Sequence, residues 1–315
     1  MKEETISNYN RVNQIRESIN QVFVGKEEVV ENLLICLFAR GHILLEDVPG
    51  VGKTTLALTL SKSIQCSFGR IQFTPDTLPG DVTGVSIYNM KLGEFVFQSG
   101  AVMNHILLAD EINRTSPKTQ ASLLEAMSEG QVTVDGVIHK LPQPFLVIAT
   151  QNPVEFLGTY PLPEAQMDRF MMRLSIGYPN REQEMRMVEL ALQGKTSDKV
   201  VAVCNAEDIL TICKETEEVT VKENVLGYMT DIVKATREEK SFVLGASPRA
   251  LLALVRASQA RAFLQGRDFV KPDDVKAVAK QVLLHRLVLT SEARMQKADV
   301  EKILLNLLNK IKVPV

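Results

Sequence analysis

Cysteine is scarce, and what there is forms no pattern. Cys36, Cys66, Cys204 and Cys213 lie far apart or at no metal-ligand spacing, which excludes a disulfide frame or a zinc site as the organising feature. Charge of one sign is missing as well. The 36 basic and 38 acidic residues leave a net charge of −2, so no broad basic field exists to hold nucleic acid, and only a local patch could do so. No apolar run approaches the ~20 residues of a membrane helix. The polar start, Met1-Lys2-Glu3-Glu4-Thr5, lacks the pattern of a secretory signal. No repeat or low-complexity tract interrupts the chain. The expectation is a soluble cytoplasmic protein, and 315 residues at 45% hydrophobic content suggest two packed domains.

What the chain does have is concentrated in Glu46-Asp47-Val48-Pro49-Gly50-Val51-Gly52-Lys53-Thr54-Thr55. The apolar run His42-Ile43-Leu44-Leu45 precedes it, and a helical pattern from Leu56 to Ile64 follows. Strand, tight loop and helix are the context a phosphate-binding loop requires. Pro49, Gly50 and Gly52, with Val51 between them, shape a turn whose N–H groups converge on an anion. The helix N-terminus at Lys53, Thr54 and Thr55 adds unpaired donors and partial positive charge. Lys53 can reach terminal phosphates, and the Thr54 hydroxyl can ligate Mg²⁺. Asp47 departs from the usual pattern, which has glycine there. A carboxylate beside a triphosphate is tolerable only if it points away.

Ile15, Ile19 and Val22 predict an opening amphipathic helix, and Val29, Val30, Leu33, Leu34 and Leu37 a second. Val24-Gly25 between them is either a helix-breaking turn or a wall of an adenine pocket. Phe68 to Phe73 reads as a strand. Val85 to Tyr88 and Glu94 to Gln98 read as an inserted β-hairpin, which touches a substrate or neighbour or is decoration. Ile106-Leu107-Leu108-Ala109 reads as a strand buried on both faces. It ends in Asp110-Glu111, where α/β sheets bind ligands. Asp110 would hold Mg²⁺ through its water shell, and Glu111 would act as general base. Ser116-Pro117 starts a helix. Val132 to Ile138 wraps an Asp135-Gly136 turn. Leu146 to Thr150, a further buried strand, leads to Gln151-Asn152-Pro153, where the Asn152 amide can donate to a water or a terminal phosphate.

Pro163 and Glu164 open a short helix with Arg169 near its end. Its guanidinium is either a fork for phosphate oxygens or half of an ion pair with Asp168 or Glu164. Beyond Tyr178-Pro179-Asn180 strand patterns thin out. Helices are expected over Arg181 to Gln193, Ala206 to Glu215, Val221 to Glu239, Pro248 to Gln265, Pro272 to Val288 and Asp299 to Ile311. Arg249, in the first turn of the fourth, opposes the helix dipole. It is either an ordinary exposed residue or a cation set there for an anion from the first domain. The division expected is 1–180 and 181–315.

Several motifs together resemble a MoxR-type AAA+ ATPase, in order and spacing over nearly the whole chain. They are the run Leu44 to Thr54, Leu107-Leu108-Ala109-Asp110-Glu111-Ile112-Asn113-Arg114, Ala149-Thr150-Gln151-Asn152-Pro153, Pro163-Glu164-Ala165-Gln166-Met167-Asp168-Arg169-Phe170, and Gly245-Ala246-Ser247-Pro248-Arg249. The resemblance implies an α/β fold: a P-loop AAA+ core with a five-stranded parallel sheet and a helix-2 insert hairpin, then an all-α lid domain. It implies ATP and Mg²⁺ as cofactors, and an acid or glycine at the Asp47 position. Lys53, Thr54, Asp110 and Glu111 would be the Walker residues, and Asn152 sensor one. Arg249 would be sensor two, in its own site or a neighbour's, and Arg169 the arginine finger on a neighbour's ATP. It further implies a homo-oligomeric ring, commonly a hexamer, that remodels other proteins in a chaperone-like way alongside a von Willebrand factor A domain protein. Competing readings are a nucleotide-gated scaffold and a magnesium-chelatase-like motor subunit. A DNA motor is disfavoured by the net charge and the lack of a helix-turn-helix or zinc motif. No docking motif for a client is visible in residues 181–315.

Overall fold

The computed structural model describes residues 3–152, 159–194 and 196–314. Two helices open the chain, α1 (Glu3–Asn20) and α2 (Glu27–Phe38). Strand β1 (Ile43–Glu46), helix α3 (Lys53–Ser63), strand β2 (Phe68–Gln72) and the short α4 (Pro79–Thr83) follow. A first hairpin is built from β3 (Gly84–Asn89) and β4 (Glu94–Ser99). Then come β5 (Ile106–Asp110), α5 (Pro117–Glu129) and a second hairpin, β6 (Gln131–Val134) with β7 (Val137–Lys140). Strand β8 (Leu146–Gln151), α6 (Glu164–Met167) and β9 (Met172–Leu174) complete the α/β part.

Five strands pair in parallel in the order β2-β5-β8-β1-β9. The inner strands β5, β8 and β1 are buried on both faces, which is why their sequences are unbroken apolar runs without alternation. Register aligns their carboxyl ends: Glu46 lies opposite Gln151, and Asp110 opposite Gln72. The polar ends of four strands therefore meet along one rim. His42 pins this arrangement. Its Nδ1 accepts from the Val147 amide at 3.1 Å, so Nε2 carries the proton it donates to the Met127 carbonyl at 3.1 Å.

Both hairpins form where expected. Asp135 and Gly136 have φ of 50° and 79°, the left-handed pair that a two-residue turn demands. The hairpins touch through Phe97 and His139, whose rings stack at 3.8 Å.

The rest of the chain is helical: α7 (Arg181–Leu192), α8 (Ala206–Glu217), α9 (Glu223–Glu238), α10 (Pro248–Leu264), α11 (Pro272–Leu283), α12 (Ser291–Met295) and α13 (Val300–Lys310). A two-stranded ribbon, β10 (Phe242–Leu244) with β11 (Val288–Leu289), is an addition the sequence pattern did not disclose. The helix expected to reach Val288 stops at Leu283 and tightens into a 3₁₀ turn, Leu284–Arg286, where His285 and Arg286 turn inward. Helices α8 and α10 pack on α2, so one apolar cluster runs from the sheet into the helical region. Among the described residues no helix is long and apolar enough to cross a membrane.

Candidate functional site

The loop from Asp47 to Gly52 leaves β1 at the rim, beside the strands whose order reverses in the sheet, the place where open α/β sheets bind ligands. Gly50 and Gly52 have φ of 86° and 90°, a left-handed backbone that side chains resist. Gly52 also caps α3 with no side chain, and no acid stands in the helix's first turn. The N–H donors of that turn are therefore not capped by a side chain, which favours an anion. Lys53 Nζ donates to the Asp47 carbonyl at 2.8 Å. Burial pushes the Lys53 ammonium below its ordinary pKa, against the pull of Asp47, Asp110 and Glu111.

Asp47 does point away. It is 4% exposed, and its Oδ2 accepts from the Ile176 amide at 2.6 Å. Its Oδ1 accepts from the Gly177 amide and the Ser175 hydroxyl, both at 2.9 Å. The departure from glycine thus ties the loop to the segment after β9 and keeps the carboxylate out of the anion site.

Asp110 ends β5. Its Oδ1 accepts from the Thr150 hydroxyl at 2.7 Å and its Oδ2 from Arg70 at 2.8 Å. Glu111 has φ of 57°, a strained position for a side-chain-bearing residue. Its amide donates to Thr150 Oγ1 at 2.9 Å, which holds the turn. Glu111 Oε2 accepts from Gln72 at 2.6 Å and Arg114 at 3.0 Å. Thr150 stood inside a quoted motif without a role. Arg70 and Gln72 were not singled out at all, although their spacing of two on an edge strand puts both on one face.

Asp47, whose carbonyl receives Lys53, and Pro49, Gly50, Gly52, Lys53, Thr54 and Thr55 share a cavity of about 400 Å³ with Asp110, Glu111 and Asn152, and Arg70 and Gln72 complete its wall. Asn152 is 8% exposed there. Val51 turns into the core instead. The donor set suits Mg²⁺, a hard cation that takes oxygen and is held by one or two protein ligands plus substrate phosphates. Thr54 and Asp110 supply such oxygens. Among the described residues no group of three or more His, Cys, Asp or Glu could hold a metal.

Besides Val51, four expected site residues lie elsewhere. Phe23 is buried, and its ring comes within 3.4 Å of where a Cβ on Gly52 would sit, so the Val24-Gly25 bend is braced against the loop. Gly25 also accepts from Gln183 at 3.3 Å. Neither Val24 nor Gly25 lines the cavity. Arg169 lies along α5, donating to the Leu124 carbonyl at 2.5 Å and the Ser128 hydroxyl at 3.0 Å. It lines a second cavity with Glu125 and Glu129. The ion pair with Asp168 weighed above does not form, because Asp168 pairs with Arg286 at 2.7 Å. Arg249 is exposed on the first turn of α10, outside the cavity of Lys53. Pro153 lies outside the described residues.

Comparison with known proteins agrees with the fold. Residues 42–172 match the family model described as ATPase family associated with various cellular activities (AAA), and residues 234–306 match the AAA lid domain. The chain is 50% identical to the uncharacterized protein YeaC of Bacillus subtilis, over 95% of this chain and 93% of that one. It is 40% identical to the chaperone MoxR1 of Mycobacterium tuberculosis, over 94% of this chain and 80% of that one. A crystal structure of a candidate ATPase from Cytophaga hutchinsonii superposes with a TM-score of 0.94 at 39% identity, covering 100% of this chain and 98% of that one.

Proposed function

Since the chain belongs to the MoxR family of AAA-type ATPases, we propose that it is an Mg²⁺-dependent ATPase whose site is completed by a neighbouring copy and which remodels other proteins. The observation that carries this is the convergence of Lys53, Thr54, Asp110, Glu111 and Asn152 on one rim cavity. In this reading the loop N–H groups and Lys53 bind the phosphates, while Val24 and Gly25 stand near the base. Thr54 and Asp110 hold Mg²⁺, which when bound offsets phosphate charge. Glu111, once released by Gln72 and Arg114, takes the proton of the attacking water. Asn152 orients that water against the terminal phosphate. Residues 1–180 form the ATPase core and 181–315 the lid.

Arg169 and Arg249 complete another subunit's site. Their position outside their own cavity supports this, since a trans arginine contributes on the order of 10³–10⁵ in rate in other nucleotidases. A homo-oligomeric ring, hexameric in the first instance and cytoplasmic, follows from the same reading. A protein with a von Willebrand factor A domain is the partner to test first.

Glu111→Gln is the direct test. It should bind ATP with affinity close to the parent's and lose turnover by about 100-fold or more, the usual cost of removing a general base. Parental turnover in this variant would remove Glu111 from the role.

A further inference from the structure

Arg286 is 4% exposed, yet it is a permanent cation. Burial on that scale demands compensation, and it comes almost entirely from one short stretch of the α/β part. Arg286 Nε donates to Asp168 Oδ1 at 2.7 Å. Its Nη2 donates to the Asp168 carbonyl at 3.1 Å and the Phe170 carbonyl at 2.6 Å, and its Nη1 to the Met171 carbonyl at 3.2 Å. Nη1 also donates to the Val282 carbonyl of α11, the helix just before it. His285 adds an Nε2 contact to the Phe170 carbonyl at 3.1 Å. Segment 168–171 is therefore held by the end of α11.

The same carboxylate is held from a second lid element. The Ser247 hydroxyl contacts Asp168 Oδ2 at 2.9 Å and Oδ1 at 3.2 Å. Ser247 is the N-cap of α10, accepting from the Ala250 amide at 3.1 Å. Arg249 stands two residues further on, and its charge reaches Arg286. Asp168 is followed directly by Arg169. One carboxylate thus joins the stretch bearing Arg169, the helix start bearing Arg249, and the turn that ends α11.

We infer that Asp168, clamped between Arg286 and Ser247, is a positioning residue that sets Arg169 and Arg249 as one unit and transmits lid movement to both. This rests on the reading that the two arginines serve a neighbour's nucleotide. The clamp explains why Asp168 is not spent on its own neighbour Arg169. A carboxylate paired with Arg169 would hide the guanidinium, whereas Asp168 fixes the backbone and leaves that fork on α5 and the surface. Because a displacement of about 1 Å costs on the order of 100-fold in a well-oriented site, a joint common to both arginines controls rate rather than nucleotide affinity.

The test uses the full chain with Asp168→Asn, Ser247→Ala, Arg169→Ala and the double variant D168N/R169A. Hydrogen–deuterium exchange without nucleotide reads the joint by itself. D168N should accelerate exchange in residues 164–171 and in 246–252 together. Steady-state turnover reads its use. D168N should lower kcat by about tenfold to 100-fold, leave KM and the affinity for a fluorescent ATP analogue within about twofold, and add no further loss to R169A. S247A keeps the buried Asp168–Arg286 pair, so it stays folded even if D168N does not. It should lower kcat by a smaller factor with KM unchanged, and loosen 164–171 as well as α10. Unchanged exchange in 164–171, an equal D168N penalty in the R169A background, or an S247A effect confined to the first turn of α10 would each overturn the clamp. If both stretches loosen together while R169A turns over like the parent, the joint stands and the shared-site reading falls.

Discussion

Arg70 lies 2.8 Å from the Asp110 carboxylate, so a cation arriving at Asp110 competes with a guanidinium. The pair is half-exposed on the arginine side, and such pairs are worth up to about 1 kcal/mol. Arg70→Ala should therefore tighten Mg²⁺-dependent binding of a fluorescent ATP analogue by up to about fivefold. A magnesium titration at fixed analogue checks it, and weaker binding would make Arg70 a phosphate ligand instead. Gln72 has the parallel role at Glu111. Neither could be picked from sequence, because β2 is an edge strand whose polar residues look like solvated surface until Asp110 is paired opposite Gln72. Asp47 teaches the converse. Its type was visible and looked unfavourable, while its justification, the backbone of residues 176 and 177, lies far along the chain.

At the scale of elements, His42 makes the join of β1, β8 and α5 sensitive to acid. Burial holds its pKa down to about 4 from an ordinary 6.5. The unfolded chain takes the proton near 6.5 and the folded chain only near 4, so between these values the unfolded state binds more protons. Stability should climb by about 3 kcal/mol from this group as pH rises through that window, and stay flat above it. Denaturant midpoints for the parent and His42→Asn across pH 4 to 7 test this. Curves that remain parallel would show that His42 is not held neutral. The elements themselves were largely legible. Strands β1, β5 and β8 announced themselves as apolar runs because both faces are covered, the Asp135-Gly136 turn because only such residues accept its backbone, and α5 because Ser116 accepts from the Thr119 amide. The end of α11 was not legible. Periodicity continues past Leu283, and only the tertiary partner at Asp168 explains why His285 and Arg286 leave the helix.

At the scale of the whole molecule, one copy brings the phosphate loop, the two acids and Asn152 to its rim cavity, while its Arg169 and Arg249 do not line that cavity. The continuous apolar cluster from α2 into α8 and α10 ties the helical region to the α/β part, and Asp168 ties it to the stretch bearing Arg169. The helical region is thus joined to the α/β part at two places. The spacing of motifs revealed the parts of this arrangement, but not which side of the molecule each arginine would occupy, since that depends on how α6 and α10 pack.

Mixing two inactive variants measures the central claim most directly. Lys53→Ala should lose nucleotide binding but keep Arg169, and Arg169→Ala should keep the cavity but lose the finger. With subunit exchange verified by labelled copies, the mixture should recover about a quarter of parental turnover at equal amounts, because heterologous contacts pair an intact cavity with an intact finger at that frequency. A fully exchanged mixture as inactive as its components would contradict a site shared between copies.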